Sequence, residues 1–242
     1  MKNMSKIRLI SGWMIHLFTA SGVLFGLAAV YAIMQQQFKL AFGFMVVTIL
    51  IDAVDGCLAR FIGIKEVIPN VDGVLLDNIV DYFNYALVPA LFLLAAPWLL
   101  PASWSIVFPG LIVIAAAYQF TQNDAKTEDH YFKRFPSYWN IVVFYLFFCE
   151  MTPFINALII IFLSILSFVP IKFIYPSRLD YLAKSRLLKI AMIVATIIWG
   201  VSTVSLLWIY PSTSHALVWV SMGYIVLYAL LSLYRTWKPL CM

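Results

Sequence analysis

The chain has 242 residues, of which 64% are hydrophobic and only 11% are charged. Soluble domains have about 45–50% apolar and about 25% charged residues, so this chain has too few polar side chains to cover a globule in water. Its three cysteines are far apart in the sequence, which excludes a disulfide framework and a cysteine zinc site. The net charge of +5 comes without any nucleic-acid-binding motif. The composition therefore predicts an all-α protein that crosses a membrane several times.

Apolar segments follow one another along the whole chain, and a membrane-spanning helix needs about 20 mostly apolar residues. Eight segments fit this description: Leu9–Met34, Leu40–Arg60, Gly73–Ala95, Trp104–Gln122, Tyr138–Met151, Pro153–Phe173, Leu187–Tyr210 and Ala216–Tyr234. The alternative is one long helix across Thr152-Pro153, which would give seven spans. Eight spans are preferred because residues 138–173 are too long for one crossing and proline disfavours helix at the residue before it.

The distribution of basic residues predicts the orientation of these helices. With eight spans and a cytoplasmic N-terminus, fifteen of the sixteen Lys and Arg residues lie at cytoplasmic loops, and only Lys39 lies on the other side. We therefore expect eight transmembrane helices with both termini in the cytoplasm. Residues 1–242 are expected to form a single integral membrane domain, with motifs in about residues 9–145 and additional membrane helices in residues 153–235.

Acidic side chains are concentrated in residues 52–81. Asp52 and Asp55 are three residues apart in the second predicted span, and Asp77 and Asp81 are four residues apart at the start of the third. Such spacings place both members of a pair on one helix face, and a short connection makes the two helices neighbours. Four converging carboxylates repel one another unless a cation joins them. Mg²⁺ and Mn²⁺ prefer oxygen ligands, and a pair of these ions about 3.5–4 Å apart can clamp a phosphoryl group.

Small and basic residues accompany these aspartates. Gly56 and Gly73 allow a ligand to approach the backbone closely, and a helix that begins at Gly73 favours phosphate at its N-terminus. Arg60 can grip a diphosphate with two hydrogen bonds, and the small Ala59 lies beside it. The segment therefore combines a predicted metal site with a predicted diphosphate site.

The pattern Asp52-x2-Asp55-Gly56-x2-Ala59-Arg60 … Gly73-x3-Asp77-x3-Asp81 resembles the signature of the CDP-alcohol phosphatidyltransferases. These membrane enzymes transfer a phosphatidyl or related group from a CDP-linked donor to an alcohol and release CMP. One departure is the connection of twelve residues between Arg60 and Gly73, which is longer than usual in the family.

The resemblance implies a role for each matching position. Asp52, Asp55 and Asp77 would hold a pair of Mn²⁺ or Mg²⁺ ions, and Asp81 would be a further ligand and the catalytic base. The residues implied to line the CDP site are Gly56, Ala59, Arg60 and Gly73, and on the first helix Thr19 and Ser21 are expected to touch the nucleotide. The resemblance also suggests a homodimer.

Two further segments resemble the bacterial phosphatidylcholine synthases within this family. They are "HLFTASG" at residues 16–22 and "AYQFTQNDAKTEDHYFKRFPSYWN" at residues 117–140, in which Arg134 stands where a glycine is expected. Choline has a quaternary ammonium, which is recognised by aromatic faces. The candidate choline contacts are Tyr85, Tyr118, Tyr138 and Trp139, with Glu128 as a possible source of negative charge.

These resemblances imply transfer of the phosphatidyl group of CDP-diacylglycerol to choline at the cytoplasmic face of the bacterial inner membrane, with the acyl chains in lipid. Serine is the alternative acceptor, and its carboxylate would need a cation such as Lys126, Lys133 or Arg134. A membrane transporter with an acidic cation site is the alternative from a different class. The Gly, Ala and Arg companions of the aspartates argue against transport.

Overall fold

The computed structural model describes residues 6–122, 124–125, 127, 131–175 and 186–237. It is 79% helical. Among these described residues, five helices are long and apolar enough to cross a membrane, and three further apolar helices are shorter. Large side chains such as Phe61, Trp208 and Trp237 expose 79–89% of their surface, as expected where lipid surrounds the helices. The prediction of an all-α, multi-pass membrane protein is therefore confirmed.

The chain divides into two compact units, and the first is Met1–Ala96. Its helices are α1 (Lys6–Met34), α2 (Phe38–Ile62), the short α3 (Ile64–Val67), α4 (Gly73–Tyr82) and α5 (Val88–Ala95). A π-helical turn, Phe83–Leu87, joins α4 to α5, so that residues 73–95 form one continuous long helix, which we call the third helix.

The second unit is Pro97–Met242. It begins with two 3₁₀ turns, Pro97–Leu99 and Ala102–Trp104. Its regular elements are α6 (Val107–Phe120), β1 (Phe132–Lys133), α7 (Trp139–Phe148), α8 (Pro153–Leu166), β2 (Lys172–Phe173), α9 (Arg186–Ile209) and α10 (His215–Trp237). Since the units are compact by themselves, the single membrane domain over residues 1–242 stays a prediction.

Each of the eight predicted segments contains one apolar helix, but three of these helices are short. The helices α6, α7 and α8 have 14, 10 and 14 residues. At about 1.5 Å per residue they are shorter than a hydrocarbon core of about 30 Å. Helix α7 ends at Phe148, and Thr152 caps α8, which has Pro153 in its first turn. The predicted break is confirmed and the single long helix is wrong, whereas the count of eight spans stays a prediction.

Glycines allow α1 to pack closely on the third helix. A Cβ atom at Gly22 would lie 2.9 Å from Cγ1 of Val80, and a Cβ atom at Gly26 would overlap the side chains of Asn84 and Phe83. The Nδ2 of Asn84 donates a hydrogen bond of 3.2 Å to the carbonyl of Gly22. Small residues are typical of such helix contacts in membranes. Because α1 also packs on α2, it fixes the position of both helices that bear the aspartates.

A series of side chains four residues apart on α10 binds the backbone around β2. The Tyr228 hydroxyl donates to the carbonyl of Ile174 at 3.0 Å, and Ser232 Oγ accepts from the N–H of Ile174 at 3.2 Å. Thr236 Oγ1 accepts from the N–H of Lys172 at 2.9 Å. Strand β2 pairs antiparallel with β1. Helix α10 therefore holds β2, and β2 holds the segment between α6 and α7.

Replacing Gly26 by Ala should destabilise the first unit, because the added methyl group would overlap Asn84 and Phe83. Overpacking of this kind typically costs about 1–3 kcal/mol. Gly43→Ala is the matched control, since nothing lies within 4 Å of a Cβ atom built at Gly43. Thermal unfolding in detergent should show a lower Tm for Gly26→Ala and no decrease for Gly43→Ala. Equal Tm values for the two variants would contradict the close packing of α1.

Candidate active site

Three aspartates of the first unit meet where α2 faces α4. Asp52 and Asp55 lie on α2 and Asp77 lies on α4, and one carboxylate oxygen from each lies within 4.8 Å of the other two. Asp55 is buried, whereas Asp52 and Asp77 are half-buried. The structure thus brings together three of the four predicted metal ligands.

This donor set fits a hard divalent cation. Within the residues that the structure describes, the group consists of carboxylates alone. Mg²⁺ and Mn²⁺ take oxygen ligands, and zinc sites usually contain His or Cys. A cation placed among the three oxygens would remove their mutual repulsion, which is strong when carboxylates are close and partly desolvated.

Asp81, the predicted base, lies one helical turn beyond Asp77 on α4 and is half-buried. It is not a member of the group of three among the described residues. The two aspartates share one face of the helix because they are four residues apart. Asp81 therefore lies further along the third helix than the candidate metal ligands, as the sequence predicts, and its role as a ligand and base stays a prediction.

Two of the three carboxylates accept hydrogen bonds from hydroxyl groups on other helices. The Thr19 side chain on α1 hydrogen-bonds Asp55. The Tyr85 hydroxyl in the π-helical turn donates to Oδ2 of Asp52 at 2.8 Å. The sequence predicts nucleotide contact for Thr19 and choline contact for Tyr85, but it does not predict these bonds. Thr19 and Tyr85 are far from the aspartates along the chain, so only the packing of the helices shows the contacts.

Arg60 lies beside Gly56 at the end of α2. A Cβ atom at Gly56 would lie 3.2 Å from Nη1 of Arg60, so the glycine leaves room for the guanidinium to lie along the helix. Nη2 of Arg60 donates to Sγ of Cys57 at 3.4 Å. Ala59 is half-buried. Helix α2 ends at Ile62, directly before Gly63, whose φ of 68° is in the left-handed region. An exposed cation thus lies five residues beyond Asp55 on α2, and such a cation can bind a phosphate.

The N-terminus of α4 is capped by a side chain of the same segment. Oδ1 of Asp72 accepts hydrogen bonds of 3.0 Å from the N–H groups of Val74 and Leu75. These N–H groups lie at the N-terminus of α4, which the sequence predicts to bind phosphate. Gly73 leaves space for His16, because a Cβ atom there would lie 3.0 Å from its imidazole. Asp directly before a predicted helix is a known capping signal, so the sequence could have predicted this cap.

Ser21, the other residue of α1 predicted to touch the nucleotide, is half-buried. Its hydroxyl donates to the carbonyl of Phe18 at 2.6 Å. Such bonds to the preceding turn of a helix satisfy a hydroxyl group locally. The predicted contact of Ser21 with the nucleotide stays a prediction.

The predicted choline contacts fall into both units. Tyr85 is in the first unit and is 5% exposed. In the second unit, Tyr118 and Tyr138 are half-buried and Trp139 is completely buried against Phe135. Glu128 lies outside the described residues. Each of these choline contacts therefore stays a prediction.

Asp124 binds two basic residues of the segment between α6 and α7. It pairs with Lys133 and, at 2.8 Å, with Nη1 of Arg134. The hydrogen bonds from Arg134 and Lys133 lower the pKa of the exposed Asp124 carboxyl to about 2. The guanidinium of Arg134 also lies 5.7 Å from the ring centre of Tyr118. At neutral pH, therefore, the Asp124 carboxylate is ionised and both cations have a partner in the chain.

Arg134 also has an unusual backbone conformation. Its φ is 78°, in the left-handed region that favours glycine. The resemblance to phosphatidylcholine synthases leads us to expect glycine at this position, and glycine would adopt this backbone conformation without strain. In this conformation the Arg134 side chain contacts Asp124 and Tyr118.

Comparisons with known proteins agree with this site. The family model described as CDP-alcohol phosphatidyltransferase matches residues 14–169, which include all the aspartates of the signature. A phosphatidylcholine synthase of Legionella pneumophila is 46% identical over 95% of this chain and 90% of its own length. One from Legionella bozemanae is 48% identical over 88% of this chain and 99% of its own length. One from Borreliella burgdorferi is 40% identical over 75% of this chain and 77% of its own length.

The chain therefore belongs to the CDP-alcohol phosphatidyltransferase family, a family of transferase enzymes. Membership of this family favours the enzyme hypothesis over the transporter with an acidic cation site. The resemblance predicted from the aspartate signature is confirmed.

The two substitutions Arg134→Gly and Arg134→Ala should differ in stability. Both remove the contacts with Asp124 and Tyr118, but only alanine is strained at a φ of 78°. A left-handed residue other than glycine costs about 1–2 kcal/mol. Thermal unfolding in detergent should therefore give a higher Tm for the glycine variant than for the alanine variant. An alanine variant as stable as the glycine variant would contradict the strained backbone.

Proposed function

We propose that this enzyme transfers the phosphatidyl group of CDP-diacylglycerol to choline, forming phosphatidylcholine and releasing CMP. The observation that carries the proposal is the group formed by Asp52, Asp55 and Asp77. The three aspartates belong to the family signature. Two relatives that align over 88–95% of this chain are named phosphatidylcholine synthase. The substrates follow from these names and from the chemistry of the site.

The cofactor we propose is a pair of Mn²⁺ or Mg²⁺ ions held by Asp52, Asp55 and Asp77, with Asp81 as a further ligand. When bound, such ions stabilise negative charge on the diphosphate and on the CMP leaving group. Arg60, Gly56, Ala59 and Gly73 would line the diphosphate site. The exposed guanidinium of Arg60, lying along α2 beside Gly56, supports this assignment. Thr19 and Ser21 are the proposed nucleotide contacts on α1.

The reaction we propose is a direct displacement at the phosphorus of the phosphatidyl group. The choline oxygen forms a bond to this phosphorus while its bond to the bridging oxygen of the diphosphate breaks. The electron pair of the broken bond leaves with CMP, and the proton of the choline hydroxyl passes to the carboxylate of Asp81. An alcohol is a weak nucleophile until a base accepts its proton, and the place of Asp81 beyond the other carboxylates suits this role.

The pairing of the basic residues supports choline over serine as the acceptor. A serine carboxylate would need a cation, and both Lys133 and Arg134 are bound to Asp124. The third basic candidate, Lys126, lies outside the described residues. Choline needs aromatic surface instead. We propose that Tyr118 and Tyr138, which are half-buried, provide this aromatic surface.

The membrane arrangement we propose has eight transmembrane helices with both termini in the cytoplasm. The enzyme would lie in the bacterial inner membrane, with the aspartates at the cytoplasmic face, where CDP-linked lipid and choline meet. The excess of Lys and Arg in the proposed cytoplasmic loops supports this orientation. A homodimer, which the family resemblance suggests, is part of the proposal.

Purified enzyme should release CMP from CDP-diacylglycerol when choline and Mn²⁺ are present, and a chelator should abolish this release. Chromatography of the lipid product should show phosphatidylcholine. Serine in place of choline should give no more CMP than the reaction without acceptor. Release of CMP with serine but not with choline would overturn the assignment of the acceptor.

Replacing Asp81 by Asn should lower kcat by about 100-fold or more, because an amide cannot accept the proton of choline. The dissociation constant of the CDP-lipid should change less than kcat, since Asp52, Asp55 and Asp77 would still hold the metal ions. Asp72→Asn is the matched control, because the amide oxygen can still cap α4. Turnover by Asp81→Asn equal to that of the control would show that Asp81 is not the base.

A further inference from the structure

Tyr85 makes a direct contact with the candidate metal site. Recognition of choline by an aromatic ring does not explain this contact, because it involves the hydroxyl group. Its hydroxyl donates to Oδ2 of Asp52 at 2.8 Å, although 33 residues separate the two in the chain. The side chain of Tyr85 is only 5% exposed. Little of its ring is therefore available to a ligand, whereas its hydroxyl is bound to one of the three carboxylates.

The turn that carries Tyr85 is π-helical and is held from both sides. Residues Phe83–Leu87 form this turn between α4 and α5. Asn84 in the same turn donates from Nδ2 to the carbonyl of Gly22 on α1 at 3.2 Å. Consecutive side chains thus tie the turn to α1 and to α2. The wider turn rotates the residues that follow it relative to α4, and such turns occur frequently at functional sites.

We infer that Tyr85 is a positioning residue for the metal site and acts through Asp52. The hydrogen bond holds the Asp52 carboxylate in one orientation toward the oxygens of Asp55 and Asp77. Outer partners of metal-binding carboxylates orient the ligands, and their loss typically costs about 10–100-fold in metal affinity or activity. This inference deepens the proposed function and rests on its assignment of Asp52 as a metal ligand.

The same contact distinguishes two roles for Tyr85. If the residue recognises choline, its ring is what matters, and phenylalanine would serve nearly as well. If the residue positions Asp52, its hydroxyl is what matters, and phenylalanine would fail. Tyr85→Phe therefore separates the two roles, because it removes a single oxygen and keeps the ring that fills this buried position.

The test compares Tyr85→Phe with the wild-type enzyme in detergent, using Mn²⁺ alone as the probe. Binding of Mn²⁺ to metal-free protein, followed by electron paramagnetic resonance, should be about tenfold weaker for the variant. The Mn²⁺ concentration for half-maximal CMP release should rise in proportion, and KM for choline should stay unchanged. Tyr31→Phe, which removes the hydroxyl of an exposed tyrosine on α1, is the matched control and should bind Mn²⁺ like the wild type.

A double-mutant cycle with Asp52→Asn shows whether Tyr85 acts through Asp52. On the Asp52→Asn background, Tyr85→Phe should cause no further loss of Mn²⁺ affinity. If the losses of Mn²⁺ affinity in the two single variants add up in the double variant, the inference is overturned, even if Tyr85→Phe also lowers the Tm. Unchanged Mn²⁺ affinity in the single variant, with a raised KM for choline, would overturn it in favour of choline contact.

The binding experiment also separates this inference from the proposed function. Mn²⁺ binding is measured without lipid or choline, so it tests Tyr85 whichever alcohol the enzyme uses. A wild-type enzyme that bound Mn²⁺ but released no CMP with choline would refute the acceptor assignment and leave the role of Tyr85 standing. A wild-type enzyme that bound no Mn²⁺ would overturn both.

Discussion

The repulsion among three carboxylates is the constraint on which this structure depends. Asp52, Asp55 and Asp77 place their oxygens within 4.8 Å of one another on helices that are otherwise strongly apolar. Desolvation and like charge both oppose such a group, and compensating positive charge would relieve this repulsion. The divalent cations that we propose would supply that charge and would also serve phosphoryl transfer. The feature that costs stability in the metal-free chain is thus the same feature that makes the family's chemistry possible.

The surroundings of the carboxylates keep them in place. Close packing at Gly22 and Gly26 brings α1 against the third helix, and the hydroxyls of Thr19 and Tyr85 bind Asp55 and Asp52. Each hydroxyl comes from a helix other than the one that bears its carboxylate. A small change in helix packing would therefore change the arrangement of the candidate metal ligands. This coupling explains why the residues that support the site extend well beyond the signature.

In the second unit, hydrogen bonds from α10 hold the backbone around β2. Helix α10 lies beyond residues 14–169, which match the family model, and its polar residues Tyr228, Ser232 and Thr236 bind the backbone around β2. Strand β2 pairs with β1, which belongs to the segment that resembles phosphatidylcholine synthases. In this segment Asp124 forms ion pairs with Lys133 and Arg134. These pairs weaken the attraction of both cations for an acceptor that carries a carboxylate. The additional helices thus fix the segment in which acceptor preference is expected to lie.

The sequence by itself determined the all-α membrane class, the positions of the apolar helices, the break before Pro153 and the family, because hydropathy and the aspartate spacing are local patterns. It did not determine that α6, α7 and α8 are short, because helix ends depend on turns and caps that hydropathy does not record. The cap of α4 by Asp72 is a local signal that the sequence carries, but only the tertiary structure decided that the hydroxyl of Tyr85 binds Asp52. The latter contact joins residues 33 positions apart through the packing of two helices and a π-helical turn. Helical periodicity can place a tyrosine on a face of its own helix, but it cannot show which atom of another helix that tyrosine meets.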